Sequence, residues 1–569
     1  MLKKVTNIFF QNKNKYLTNN FGLVLVLLGS LSWSLTMVKS GLKFDYGFGF
    51  WGANGYDGVW HIALINNLTR FSFENPVLSG EIIKNYHIGF DLLIAVLHKI
   101  TTIPVSVIYF QIFPPIASVL IGWLTYVFVK NWTKSIRSAI LATFFVYFGG
   151  SAAWIIGMGE STFWSHQSMS TLINPPFALS LVLILSGLIF LQKYIIKPNT
   201  LHFVLTVLCF GPLIQIKAYA AILILGGLFV ASVYNFFKNH TFSFLKIFIG
   251  TLIVNLLLFK LVKNDSLSVF TFYPFWFLET LFAARDRLSW PKMAEAMLSY
   301  KTQSVVTKYL LTYGFAGIIF VIGNFWTRLI FLKDIFKKID AYKLMFLSMI
   351  GFGLFMPTFF VQIGTPWNTI QFLYYSLFFS GILAGIAISN IKNIFIIVVV
   401  LLTLPTSLIG IKNTFVTDTP PAIVSNKEIE ALDFLKKQQY GTVLSYPFDT
   451  ALNYLPLPNK IPLYKYSNTS YLPAYSNKSI YFERTNVEIM GYSWEQRKLN
   501  SLNFFTTTDL GWAKSFLDEN SIKYLYLVKE MSPLQGELMK LGPVDLGLEK
   551  IFENKEYIIY EYGEDFGSN

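Results

Sequence analysis

About eleven long apolar stretches fill most of the first 411 residues, and they leave this chain few ways to fold. They run over 21–38, 104–129, 136–156, 177–194, 201–216, 218–236, 243–262, 304–326, 343–361, 371–390 and 393–411. A helix needs about 20 apolar residues to cross a bilayer core. Inside that core, only helices and closed barrels satisfy their own backbone polar groups. The pattern predicts an all-α polytopic membrane domain over 1–411. Composition agrees: 14% of the 569 residues are charged, against about 25% in an ordinary soluble protein.

The basic residues sort by loop. Lys3, Lys4, Lys13 and Lys15 precede the first stretch. Lys130, Lys134 and Arg137, then Lys193 and Lys197, then Lys238, then Arg328 to Lys338, then Lys392 fall in alternate loops. Short basic loops stay in the cytoplasm, which predicts a cytoplasmic N-terminus and an extracytoplasmic C-terminus. The first stretch has no small-x-small cleavage site, so it reads as an uncleaved span. The stretch 86–100 is apolar but short, and it carries His87, Asp91, His98 and Lys99. It predicts a helix lying at the outer interface or a re-entrant piece. The outer loops are then 39–102, 157–176 and 263–303. They are long and polar while the inner loops are short, so the chemistry faces outward.

After 411 the composition changes. Residues 412–424 read as a linker, and 425–569 as a small extracytoplasmic α/β domain. Helices are expected over 427–438, with Ser425 or Asn426 as N-cap, and over 495–505 and 510–520. Strands are expected over 441–446, 522–528 and 557–562. This part holds 15 Lys/Arg against 19 Asp/Glu, while the first 424 residues hold 31 against 13. The basic excess therefore belongs to the loops between spans, with added attraction to anionic lipid headgroups. It forms no single patch, which excludes nucleic acid as a partner. The one cysteine, Cys209, lies inside a span and reads as a small buried hydrophobe.

The most chemical segment is Gly55-Tyr56-Asp57-Gly58, followed by Val59-Trp60-His61, at the mouth of the first span. It reads as a turn feeding a helix. Asp57 can cap that helix. As a partly buried interfacial carboxylate with a raised pKa, it can also take a proton from an attacking hydroxyl. His61 is one helical turn on and faces the same side. His87 and Asp91 stand four apart and, with His61, offer metal-ligand chemistry, although no HExxH or cysteine-rich spacing accompanies them. Glu160 is the acid of the second loop, a solvated side chain or a second carboxylate. The chain carries no Walker loop, nucleophile elbow or dinucleotide fingerprint.

The acidic residue after the first span, the run Asn75-Pro76, Gly80 and Tyr86-His87-Ile88-Gly89-Phe90-Asp91, the further spans and the closing outer domain together resemble the GT-C superfamily of membrane glycosyltransferases. The resemblance covers the whole architecture, and its residues concentrate in 50–130. It implies a sugar donor linked to a polyprenyl phosphate or diphosphate. It also implies a glycan, lipid or protein acceptor, and a place in a bacterial or archaeal cell membrane. Asp57 matches the family's first-loop acid, the base or acceptor-orienting group, with His61 beside it. Gly58 stands where better-known members pair a second acid, which leaves a divalent metal ion open. The phosphate would fall to Lys217, Arg285 and Arg287, with Glu160 and His87 as further substrate contacts. Lys217 otherwise reads as a snorkelling lysine, and Arg285-Asp286-Arg287 as a local ion-pair cluster. Two other classes are compatible with the same outline. A flippase for lipid-linked glycans would need polar residues threaded through the spans. A non-catalytic envelope-assembly protein would concentrate its function in 425–569.

Overall fold

The computed structural model describes residues 15–157, 159–260, 269–448, 459–467, 469–531 and 538–563. The chain folds as two compact units. One gathers Met1–Thr36, Phe113–Val262 and Ser266–Val416; the other is chiefly Met37–Ile112 together with Thr417–Asn569. The division does not follow the chain at 411. The first outer loop clusters with the C-terminal part.

Among the described residues, seven helices of the first unit are long and apolar enough to cross a membrane: Val105–Thr133 (which begins in the second unit), Pro175–Ile196, Ala218–Asn239, Val306–Asp334, Ala341–Phe359, Pro366–Ile388 and Asn393–Phe415. The chain is an integral membrane protein. The other four expected spans coincide with shorter apolar helices, Asn20–Ser34, Ile136–Phe148, Thr200–Ile216 and Ser243–Phe259. Ile136–Phe148 stops early for a local reason. Gly149 and Gly150 follow it, and both carbonyls accept hydrogen bonds from the Arg328 guanidinium, which also donates to Gln167 Oε1 at 2.8 Å. A Cβ at Gly149 would stand 2.6 Å from Arg328 Nη2. Arg328, expected to open a basic inner loop, is instead 1% exposed. A buried guanidinium survives because protein acceptors replace its water.

The second unit is built on two sheets; its elements are labelled here in chain order. The strands are β1 (Lys43–Phe44), β2 (Gly47–Phe50), β3 (Ala422–Ser425), β4 (Thr442–Ser445), β5 (Ile461–Pro462), β6 (Ser479–Ile480), β7 (Ile522–Val528), β8 (Leu548–Glu553) and β9 (Tyr557–Tyr562). The helices are α1 (Asp57–Thr69), α2 (Gly89–Thr101), α3 (Asn426–Lys437), α4 (Tyr471–Ser476), α5 (Glu495–Thr506) and α6 (Leu510–Glu519). One sheet has the order β1-β2-β3-β5 and the other β8-β9-β7-β4-β6. The expected C-terminal helices and strands are all present within a few residues. Ser425 caps α3, its hydroxyl accepting from the Glu428 N–H at 3.1 Å.

Within the expected linker 412–424, the last apolar helix runs on to Phe415, 416–421 is irregular, and a strand starts at Ala422. β3 pairs antiparallel with β2, with Gly47 opposite Ser425 and Phe50 opposite Ala422. Gly47 has φ +120, and a Cβ there would meet the Val424 carbonyl at 2.0 Å, so only glycine fits. More bonds hold the same two segments together. Ser79 N–H donates to the Ile480 carbonyl and Ile480 N–H to the Pro76 carbonyl, each at 2.9 Å. Asn66 donates to the Ala474 carbonyl at 2.8 Å. Helix α2 buries Phe90, Asp91, Ile94 and Ala95 and exposes Leu92, Leu93, Val96 and Ile100. That exposed apolar stripe is what an interfacial helix presents to lipid.

Candidate functional site

Helix α1 starts at Asp57, preceded by a 3-10 turn over Gly52–Gly55. The N-cap residue is Tyr56, not Asp57, and it makes no side-chain cap bond. Asp57 therefore occupies the first helical position, where the positive end of the helix dipole favours a carboxylate. It is exposed, which corrects the expectation of partial burial. Burial, and then the Asp57 charge, push the Tyr56 hydroxyl above its ordinary range. Gly58 is buried, and a Cβ there would lie 2.7 Å from Phe110 Cζ. The single acid at this turn has a packing cause: an aromatic ring takes the room that a neighbouring side chain would need.

Four residues on, His61 is 6% exposed and Asp91 0%. His61 Nδ1 hydrogen-bonds Asp91 Oδ1 at 2.7 Å. Its ring stacks on Tyr109 at 5.7 Å and meets Phe90 edge-on at 5.9 Å. A carboxylate on one ring nitrogen fixes the tautomer and leaves Nε2 as the working atom. Asp91 was expected to share a helix face with His87. It does not, because α2 begins only at Gly89 and His87 precedes it. His87 stacks instead on Tyr86 at 4.9 Å, and the Tyr86 hydroxyl accepts from Trp60 Nε1 at 2.9 Å. The pairing of His61 with Asp91 joins two helices, so no spacing within either could reveal it.

The remaining candidates belong to the first unit. Arg285 is exposed. Arg287 forms an ion pair with Asp286 at 2.9 Å, as the local-cluster reading expects, and its guanidinium lies 4.2 Å over Trp164. Its buried Nε has no hydrogen-bond partner among the described residues, and neither has Nδ1 of His166. Burial, with the Arg287 charge next, lowers the His166 pKa to about 4. His166 is thus a neutral imidazole at physiological pH. Lys217 does not snorkel: it is 4% exposed and donates to Asn174 Oδ1 at 3.3 Å. The Glu160 side chain lies outside the described residues. Among the described residues, no group of three or more His, Cys, Asp or Glu is placed to hold a metal ion. Beside Asp57, Gly58 offers no second ligand, and His61 Nδ1 is engaged by Asp91, which leaves its Nε2.

No family model matches the chain, and no curated protein sequence matches it. Solved structures do. The oligosaccharyltransferase of Archaeoglobus fulgidus, in a complex with Zn and sulfate, is 13% identical, with 89% of this chain and 68% of that one covered and a TM-score of 0.52. Archaeal oligosaccharyltransferase AglB from the same organism, in complex with an inhibitory peptide and a dolichol-phosphate, is 12% identical, with 97% and 75% covered and a TM-score of 0.51. Arabinofuranosyltransferase AftD from Mycobacteria is 12% identical at a TM-score of 0.52; 97% of this chain matches 40% of that one. This chain shares the fold of these glycosyltransferases. At such identities the likeness is one of fold, and the reaction has to be argued from the site.

Proposed function

We propose that the protein is a membrane glycosyltransferase. It moves a sugar from a polyprenyl-phosphate or polyprenyl-diphosphate donor to an acceptor on the outer face of the membrane. The observation that carries this reading is an exposed carboxylate, Asp57, at the N-terminus of a buried helix, with the Asp91-oriented His61 one turn behind it. In this reading Asp57 takes the proton from the acceptor hydroxyl as it attacks the anomeric carbon. The leaving group is a phosphate and needs little acid help. Cations neutralise it, and Arg287, Arg285 and Lys217 are the residues proposed for that role. His61 passes the proton on or orients the acceptor.

The test compares wild type with Asp57→Asn in membranes supplied with radiolabelled polyprenyl-linked sugars. Asn keeps the size and polarity of the side chain and removes the base. Transfer should fall by about 100-fold or more, the usual worth of a positioned base, with melting temperature unchanged. Equal transfer by the two proteins would move the base elsewhere.

A further inference from the structure

A second cleft opens within the α/β part of the second unit, at the carboxyl ends of three parallel strands. β4 pairs parallel with β6 on one side and β7 on the other. The residues that follow or end those strands line the cleft: Ser445 and Tyr446 after β4, Phe482 and Glu483 after β6, Tyr526 and Val528 on β7. The crevice beyond the carboxyl ends of parallel strands is where open α/β sheets bind ligands. The cleft is a partly open one, with about 790 Å³ of empty space when the solvent at its mouth is counted.

Its chemistry is specific. Two aromatic walls are backed by other rings. Phe482 stacks on Trp494 at 5.9 Å and 6°, and Tyr446 meets Phe505 edge-on at 5.4 Å. Between them Glu483 carries a buried carboxyl oxygen, Oε2, with no hydrogen-bond partner among the described residues. An orphaned buried acceptor of this kind is costly unless something fills its place. Two cations, Arg484 and Lys498, line the cleft, and neither hydrogen-bonds that oxygen. Arg484 is bonded to Glu488 at 2.8 Å and stacked on Trp494 at 4.9 Å.

Three ligand classes can be weighed on these facts. A phosphate would have Lys498 beside it but, with Arg484 held by Glu488, no free guanidinium among the lining residues to clasp it, and it would leave the aromatic walls unused. An apolar side chain would leave Glu483 orphaned. A hydroxylated ring meets both demands, with apolar C–H faces against the aromatic walls and hydroxyls for the carboxyl. Burial holds the Glu483 carboxyl well above the usual range, and a neutral carboxyl can donate as well as accept, which suits a hydroxyl.

We propose that this cleft binds one saccharide unit, its ring against Tyr446 and Phe482 and a hydroxyl on the Glu483 carboxyl. The cleft does not include Asp57, although its lining Tyr466 packs against Tyr56 at 5.6 Å and Thr469 donates to the Gly55 carbonyl at 3.5 Å; its occupancy does not depend on the transferase reading. Under that reading, its natural occupant is a sugar of the acceptor.

The test uses the full chain in lipid nanodiscs, free of glycoside detergent. Saturation-transfer NMR is run with methyl mannoside, glucoside, galactoside and arabinofuranoside, none carrying phosphate or lipid. At least one should give a saturable signal. Two variants then locate it. Ser467→Trp adds bulk at an exposed lining position, and Glu483→Leu keeps the volume while removing the carboxyl. Each should weaken binding about tenfold or more, which is about 1.4 kcal/mol. Glu483→Leu should melt no lower than wild type, since it removes an orphaned polar group; a merely structural glutamate would melt lower on replacement. Asp57→Asn should bind as wild type does, so failure of this site and failure of the transferase reading are told apart. The proposal falls if no glycoside binds, or if binding is unchanged in either variant.

Discussion

At the scale of single residues, position 58 decides how many carboxylates the first-loop turn can hold. The sequence shows that a second acid is missing, and Phe110, pressed against Gly58, gives the cause. Gly58→Ala should therefore destabilise the protein by about 1–3 kcal/mol, as overpacking of a full core does. A thermal melt that matches wild type would show that the ring yields freely. Legibility at this scale was uneven. Asp57 and its helical neighbour His61 could be read from local spacing. Asp91 could not be read as the partner of His61, because that hydrogen bond links residues thirty positions apart. The burial of Lys217 is hidden from the sequence for a related reason. A lysine between two apolar runs reads as a surface residue until Asn174 and Tyr219 are seen around it.

At the scale of elements, α3 carries a charge problem of its own. Glu428 lies in its first turn and is 0% exposed. Burial pushes its carboxyl up to about 8 from an ordinary 4.5, and hydrogen bonds from Tyr471, Tyr557 and Tyr526 recover only part of the shift. The native state therefore keeps a proton that the unfolded chain releases. Stability should be highest near pH 4.5, fall as pH rises toward 8, and level off above it, by a few kcal/mol in order of magnitude. Glu428→Gln, which is neutral throughout, should flatten that slope in melts taken across the window. An unchanged slope would place the titration elsewhere. Helices of this size were legible because a periodic face and a cap are local signals, as α3, α5 and α6 show. The sheet β1-β2-β3-β5 was not. Its strands are two to four residues long, too short for any alternation to register, and Gly47-Phe48-Gly49-Phe50 reads as loop until Ala422–Ser425 lies beside it.

At the scale of the whole molecule, the units cut across the order of the chain. The loop that carries Asp57 shares its sheet with residues from the far side of the spans. Stopping the chain after Val416 should therefore do more than remove an appended domain. The segment 37–112 should become open to limited proteolysis while the span-rich unit persists, and transfer should be lost even though Asp57 is present. A truncated protein whose first loop resists protease would contradict this. The long apolar helices were legible because a bilayer imposes a length on a span, which seven of the described helices meet. The partnership between one loop and a distant strand obeys no such rule.

The pairing of β2 with β3 also sets a clock. A ribosome adds about 5–20 residues per second, and the strand ending at Phe50 must wait until Ala422 to Ser425 has been made. That is an interval of roughly 20–70 s at those rates. Throughout it, the edge of β2 has no native partner and the turn before Asp57 has no sheet to rest on. The membrane helices can be threaded one after another in this time, while the Asp57 segment is assembled late. A nascent chain is thereby kept from holding a finished site before its spans are in place.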